Sequence, residues 1–392
     1  MSFATFGEQQ DENGSQLNCH FVTETISFSH FMVYFMGKDL NMREFDYRKL
    51  EDQSWNNDIL LKIGHLHEAK IKQKLYLAQT PSELKRLIDT AKIQSTQASN
   101  AIEGIRTTDF RLKQLLNEKI SPKNRDEKEI AGYRDALTMI EESFEDIPLT
   151  PNHILQLHNV LYSYATHVSY GGKYKNVQNY ISATDEKGNS FTLFTPLSPF
   201  ETPLAVQKIC DEYNKAIVRR CLDPLLLIPV FIHDFLCIHP FNDGNGRISR
   251  LLTNLLLYKS GYLVGKYISL ENKISQTKDL YYDALLASQK GWKDGEDDPT
   301  PFTAYLLSII EMAYQDLEER TKLISKKLSS YELVNKAIKH KVGRITKADV
   351  CNLCPNLSVS AIEKAIAKMV REGLLEKHGK GKSTYYTVKS FR

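Results

Sequence analysis

At 392 residues, with 42% hydrophobic and 25% charged side chains and a formal net charge of +3, the chain has the makeup of an ordinary globular protein. Its length exceeds one compact core, so two or three domains are expected, and no apolar run approaches the roughly 18–20 residues that cross a membrane. The six cysteines (Cys19, Cys210, Cys221, Cys237, Cys351 and Cys354) lack the spacing of a disulfide framework and read as reduced thiols of a cytoplasmic protein.

Residues 1–41 show no clean periodicity. Their one apolar cluster, FSHFMVYFM, begins too late, and without a basic leader, for a signal peptide. The segment is expected to be disordered, or to reflect a start codon assigned too early. From Met42 the run MREFDYRKLEDQSW reads as a domain start, and residues 55–120 look helical, with polar stretches such as HLHEAKIKQKLYLAQ. Near the end of that region, STQASNAIEGIRTTD has the residues of a helix finishing at a glycine cap, Gly104. The predicted layout is a helical region over 42–124, a central domain over 125–324 and a small third domain over 325–392. Inside the central domain, residues 171–196 alternate Tyr, Val, Ile, Phe and Leu around Lys187-Gly188-Asn189, which predicts a β-hairpin. The most apolar stretch, Leu225 to Ile232, contains Pro229 and reads as buried core.

The richest segment is His239 to Arg250, HPFNDGNGRISR. It gathers an imidazole, a carboxylate, Gly and Asn backbone positions and two arginines around one tight turn. Gly244, Asn245 and Gly246 allow several N–H groups to converge on a single anion. The residues that follow read as a helix, with Ile248, Leu251, Leu252, Leu255 and Leu256 on one face. The loop therefore sits at a helix N-terminus, where free N–H groups and the macrodipole favour phosphate. Arg247 and Arg250, three apart, are expected near that anion. A plain turn requires neither His239, Asp243 nor the two arginines, so the segment predicts a polyphosphate cradle with a base and a metal ligand beside it.

These twelve residues fit the pattern HPFxxGNGRxxR at every fixed position, and so resemble the Fic-domain family. The resemblance implies a mainly α Fic core with a β-hairpin flap, transferring AMP from ATP-Mg²⁺ to a Ser, Thr or Tyr hydroxyl of a protein. By position, His239 would be the general base and Asp243 the Mg²⁺ ligand. Asn245 with the Gly244 and Gly246 amides would cradle the phosphates, Arg247 the β-phosphate and Arg250 the γ-phosphate. A phosphotransferase branch of the family carries lysine at the second motif glycine; Gly246 favours nucleotidyl transfer. Ser99 to Gly104 matches the family's inhibitory pattern [ST]xxxE[GN], which implies that Glu103 pairs with Arg250 and spoils the γ-phosphate pose, with Ser99 and Gly104 framing it. The 171–196 hairpin stands where the family has its flap, longer than a typical one, and would take an extended stretch of the target by strand addition. Tyr281 and Tyr282 fall where adenine-contacting aromatics occur, and Gln289 where an asparagine often reads the base.

From about residue 325 the character changes: 15 Lys/Arg stand against 5 Asp/Glu. A short helix from Thr346, a break at Pro355-Asn356, a helix capped by Ser358 with Ile362, Ile366, Met369 and Val370 on one face, and LLEKHGKGKSTYYTVKS as strand, turn and strand resemble a small α+β winged helix-turn-helix. Lys364, Lys368, Arg371, Lys377, Lys380 and Lys382 could meet phosphates, so DNA is a candidate partner beside a protein substrate, self-modification and a homodimer. Two decoys fall away. Cys351 and Cys354 have zinc-knuckle spacing but only His340 and His378 in range, and Gly381-Lys382-Ser383 ends like a Walker loop but precedes a strand. Two competing readings stay open: a DNA-binding regulator with a Fic sensor, and removal of AMP by the same site.

Overall fold

The computed structural model describes residues 43–79, 81–118, 120–165, 171–184, 190–325, 329–339, 343–355 and 357–388. Residues 1–41, the Lys187-Gly188-Asn189 turn, His340, Asn356 and the Lys382 side chain lie outside what it describes. Among the described residues there are fourteen α-helices and two antiparallel strand pairs, so the fold is mainly α as expected. No described helix is long and apolar enough to cross a membrane.

The chain enters through a short helical turn, Tyr47–Glu51, and then runs through α1 (Asn57–Gln79), α2 (Pro81–Ile102) and α3 (Asp109–Lys113). Next come α4 (Arg125–Ser143) and α5 (Pro151–Leu161). Sequence explains where these last two begin. Asn124 and Thr150 accept from the backbone N–H groups of Glu127 and His153, and Pro151 supplies a first residue that has no N–H to satisfy. The strands β1 (Ile181–Thr184) and β2 (Ser190–Phe194) pair antiparallel, so the predicted hairpin is present. They are followed by α6 (Thr202–Arg219), α7 (Pro224–Ile238) and α8 (Asn245–Lys259).

α7 explains the centre of the fold. Asp223 caps it, Pro224 opens it, and every residue from Leu225 to Ile238 is buried, so it packs on all sides. α8 lies against α7, α6 flanks it, and α11 (Thr300–Ser325) packs over both α7 and α1. Between them α9 (Leu270–Gln276) and α10 (Lys278–Gln289) complete the wall. α2 lies across α4 and α9 and touches α8, which brings a segment 150 residues upstream onto the head of α8. α4 and α5 approach so closely at Gly132 that an added Cβ would collide with the carbonyl of Leu161; only glycine fits there.

Arg43 anchors the start of the described chain. Its guanidinium meets Asp297 and Asp234 and lies 4.7 Å from the Trp292 ring, while Tyr47 and the Trp292 indole donate to Asp234 at 2.9 and 2.7 Å. His233, Asp234 and Asp297 form the one metal-like cluster among the described residues, yet the cation between the two carboxylates is Arg43 itself. No metal is called for there.

The C-terminal part has a separate apolar core built from Val334, Ile338, Ile345, Val350, Ile362, Ile366, Met369 and Leu375. Its elements are α12 (Ser330–Ile338), α13 (Lys347–Leu353), α14 (Val359–Arg371), β3 (Leu375–His378) and β4 (Tyr385–Val388), with Ile345 bridging to Tyr386. Reciprocal capping boxes at Ser329/Glu332 and Thr346/Asp349, and Ser358 accepting from Ala361, set the three helix starts. Gly381-Lys382-Ser383 is a single turn between the two strands. Cys351 and Cys354 belong to no metal-like cluster among the described residues.

Candidate active site

His239 terminates α7. Its backbone is left-handed, φ 53° and ψ 62°, unusual for a residue with a side chain. The imidazole Nδ1 lies 3.1 Å from the carbonyl of Leu236. A carbonyl only accepts, so Nδ1 carries the proton and Nε2 keeps its lone pair. Burial holds the imidazole's pKa down to about 4, with Lys175 pushing the same way and the Leu236 contact, Glu103 and Asp243 working against it. At neutral pH it is an uncharged base with a fixed tautomer.

The turn after it is self-braced. Asn245 accepts from the Phe241 N–H at 2.8 Å and donates to the Phe241 carbonyl at 2.7 Å, so both ends of its amide shape the loop from inside. Gly244 takes φ 86°, and its N–H donates to Asp243 Oδ1 at 2.6 Å. The first hydrogen bond of α8 runs from Ile248 to the carbonyl of Gly244, so the N–H groups of 245, 246 and 247 stand at the open end of the helix. Asp243 keeps its second oxygen toward solvent, with Arg125 3.8 Å away.

The two arginines part company. Arg250 is buried; its Nε donates to the Ser99 hydroxyl at 2.8 Å, and its Nη2 to the Ser99 carbonyl at 2.9 Å and Glu103 Oε1 at 2.8 Å. Burial would lower its pKa, but Glu103 first, then Tyr281 and Tyr133, hold it raised. Arg247 is wholly buried on the other side, ion-paired to Glu129 at 2.7 Å and donating to the Tyr162 hydroxyl at 2.8 Å. Both were expected to face one anion. Arg250 stands against Glu103, while Arg247 Nη2 also lies 3.7 Å from Asp243 Oδ1 on the same loop.

Glu103 follows the last residue of α2. Ile105 donates to the Asn100 carbonyl and Gly104 takes φ 82°, the glycine-capped helix end predicted from sequence. Lys278 at the start of α10 donates to the Ile102 carbonyl at 3.0 Å and pins that end in place. A Cβ added at Gly246 would collide with Glu103 Oε1, so the close seat of Glu103 depends on that glycine.

Of the three base-reading candidates, Tyr281 is buried against Tyr282, Phe302 and Tyr305 and serves the core. Tyr282 is partly exposed, with its ring under Lys278, and Gln289 lies 3.6 Å from the buried thiol of Cys237. Several site residues carried no sequence signal: Glu129, His158, Tyr162, Lys175 and Asn179. His158 accepts from the Gly172 N–H at 2.9 Å, which leaves its Nε2–H to donate to the Asp243 carbonyl at 3.1 Å. It also stacks on Phe241 with centroids 3.8 Å apart. A lone histidine in the apolar stripe of α5 looks like ordinary core.

Residues 148–257 match the family described as Fic/DOC. The chain is 26% identical, over 277 residues, to a protein adenylyltransferase Fic of Drosophila erecta, a match covering 69% of this chain and 48% of that one. The chain thus spans about half the length of the curated relatives it matches. A Fic domain containing signaling protein from Bacteroides thetaiotaomicron superposes with a TM-score of 0.56 at 26% identity, over 66% of this chain and 97% of its own. A Fic family protein from Desulfovibrio desulfuricans G20, 19% identical, covers 87% of this chain and 99% of its own at the same TM-score, a likeness of fold.

Proposed function

We propose, from the Fic domain that this chain carries, that it is a protein adenylyltransferase held in check by its own Glu103. The observation that carries this reading is the placement of a base of fixed tautomer, His239, beside an open helix N-terminus that also bears Asp243 and Arg250. In this reading a target hydroxyl attacks the α-phosphorus of ATP. Its proton passes to His239 Nε2, the new P–O bond forms, and the bond to the β-phosphate breaks with release of pyrophosphate. The N–H groups at the head of α8 lie where leaving-group charge grows, and Arg250 orients the γ-phosphate once Glu103 has let go. Arg247 adds its charge from behind the loop, fixed by Glu129 and Tyr162.

Asp243 suits a magnesium ion. It is a hard oxygen donor 43% exposed, with one oxygen fixed by Gly244 and the other facing solvent beside an exposed Arg125, and a single carboxylate beside substrate phosphates is how Mg²⁺ is usually held. Bound there, the ion would neutralise phosphate charge. The substrate would be a protein segment added in extended form along the β1–β2 hairpin, and the chain itself would work in the cytoplasm.

Intact mass after incubation of the purified protein with ATP, GTP, UTP or CTP tests the reading. A gain of one AMP with ATP alone is expected, abolished by His239→Ala; no adduct with any nucleotide, in wild type or Glu103→Gly, overturns it. Gly246→Ala is expected to raise labelling above wild type, because the added methyl displaces Glu103 from Arg250 while helix propensity improves. A Gly246→Ala protein labelled no faster than wild type removes the steric part of the argument.

We read residues 325–392 as a winged helix-turn-helix. Of its basic residues Lys368 lies 3.8 Å from Glu372, and Glu363 of α14 pairs with Lys347 of α13.

A further inference from the structure

We infer that Lys175 and Asn179, in the segment leading into β1, are positioning residues that hold the catalytic turn and so set where His239 Nε2 meets the incoming hydroxyl. The inference rests on the reading of His239 as the base, and goes beyond it in naming what holds that base.

The turn from Ile238 to Asp243 has left the hydrogen-bonding pattern of α7 and has not yet joined that of α8. Its backbone carbonyls need partners from elsewhere. One short stretch provides them almost without a gap. Lys175 Nζ donates to the Ile238 carbonyl at 3.0 Å. Asn179 Nδ2 donates to the carbonyl of His239 at 3.3 Å and to that of Phe241 at 3.0 Å. The Lys175 backbone N–H donates to the Pro240 carbonyl at 2.8 Å. The Asn242 side chain donates to Asn176 at 3.0 Å, and Gly172 reaches the Asp243 carbonyl through His158. Lys175 also donates to Asn179 Oδ1 at 3.0 Å, which orients the Asn179 amide so that its NH₂ faces the turn.

Each position from 238 to 243 is thereby held by residues 172–179. A left-handed histidine is a costly conformation, and it persists where its surroundings over-determine it. The clasp is that surrounding. Ile181, the first residue of β1, follows Asn179 by two positions, so a target strand added to the hairpin lies along the same short stretch that grips the base.

Lys175 has a second effect. It is buried, and burial lowers its pKa to about 8, with Glu201 opposing and Lys293 assisting. Protonated at pH 7, it is one of the charges facing His239, the others being Glu103 and Asp243. It disfavours the imidazolium, whereas Asn179 carries no charge and acts through geometry alone. The two residues therefore predict different signatures.

The test uses the full chain in a Glu103→Gly background, with Lys175→Met, Lys175→Arg and Asn179→Ala. Lys175→Met and Asn179→Ala should each lower kcat by about 10- to 100-fold, the scale of a misplaced reacting group, while KM for ATP changes less than about twofold. Lys175→Arg should recover most of the loss. Thermal unfolding and ATP affinity, measured on each variant, remove molecules that are merely misfolded from the count. In parallel, ¹⁵N NMR of the histidines, with the His239 signals identified by their loss in His239→Gln, reads position without any turnover. Lys175→Met should raise the His239 titration midpoint, and both variants should mix its tautomers. Asn179→Ala should leave the midpoint in place. Unchanged kcat together with an unchanged tautomer and midpoint in Lys175→Met overturns the inference. A Glu103→Gly parent that fails to label ATP instead overturns the adenylyltransferase reading, and the NMR arm still decides the clasp.

Discussion

Replacing Glu103 by glycine is expected to raise self-labelling from ATP by on the order of 100-fold, the scale on which a single oriented donor at a transition state acts. The reason lies in how Arg250 is shared. In the resting site one of its nitrogens faces both the Ser99 carbonyl and Glu103 Oε1, and another faces the Ser99 hydroxyl. A γ-phosphate brought to that guanidinium meets the Glu103 carboxylate first, and like charges a few ångströms apart repel. In the proposed reading ATP would still enter, but its triphosphate would bend away and the α-phosphorus would be turned out of line with the attacking hydroxyl. Glycine at 103 removes the carboxylate and keeps both Ser99 contacts, so the arginine stays placed while one partner is freed. Lys278 still holds the Ile102 carbonyl, and the helix end should survive, so thermal unfolding of the variant should stay close to wild type. The check is the initial rate of AMP incorporation by intact mass, wild type against Glu103→Gly at equal protein concentration. Equal rates would remove Glu103 as the brake and leave its contact with Arg250 a structural ion pair.

The same pair shows how far the sequence could be read. His239 to Arg250 was legible because its chemistry is local: every residue of the cradle lies within twelve positions, and Gly244 and the helix that follows announce the turn. Glu103 was legible through resemblance alone, since nothing in the spacing of Ser99 to Gly104 says that it meets a residue 147 positions on. The arginines show what a local pattern leaves open. Three residues of α-helix turn about 300°, so Arg247 and Arg250 point some 60° apart rather than side by side. With α2 over one flank of α8 and α4 over the other, that difference sends Arg250 to Glu103 and Arg247 to Glu129. The side chain of Asn245 is engaged on Phe241, while its backbone N–H stands at the open head of α8. Lys175, Asn179 and His158 could not be read at all, because a side chain that serves a distant backbone carbonyl leaves no partner residue in the sequence to match. The hairpin was visible as alternation; what it grips was not.

Replacing His239 by alanine is expected to lower AMP transfer by about 10²- to 10⁴-fold, the span assigned to a positioned general base, in the Glu103→Gly protein where the starting rate is high enough to measure the loss. ATP binding should be nearly unchanged, because in the proposed reading the triphosphate would be met by the head of α8 and Arg250 rather than by the imidazole. The pH dependence separates this base from an ordinary histidine. Free imidazole would lose its proton near pH 6.5, and the transfer rate would fall below that value. Burial holds His239 at about 4, so the rate should stay flat as pH drops through 6.5 and decline only toward pH 4. Stability responds to acid at a higher pH than the rate does. His158 and His233 are held at about 4 and about 3 by the same cause, so the folded state binds fewer protons than the unfolded chain once pH falls below 6.5. Folding should therefore weaken with acid from that point down to those lower values, a loss that begins before the base itself titrates. Rate and unfolding must be followed on one sample: a rate that declines near pH 6.5 while the protein is still folded shows His239 titrating like a solvent histidine. In that case the Leu236 contact does not define the base. A rate that declines only together with the fold, or below it, leaves His239 deprotonated through the whole working range, which is what a base standing ready for a weakly acidic hydroxyl requires.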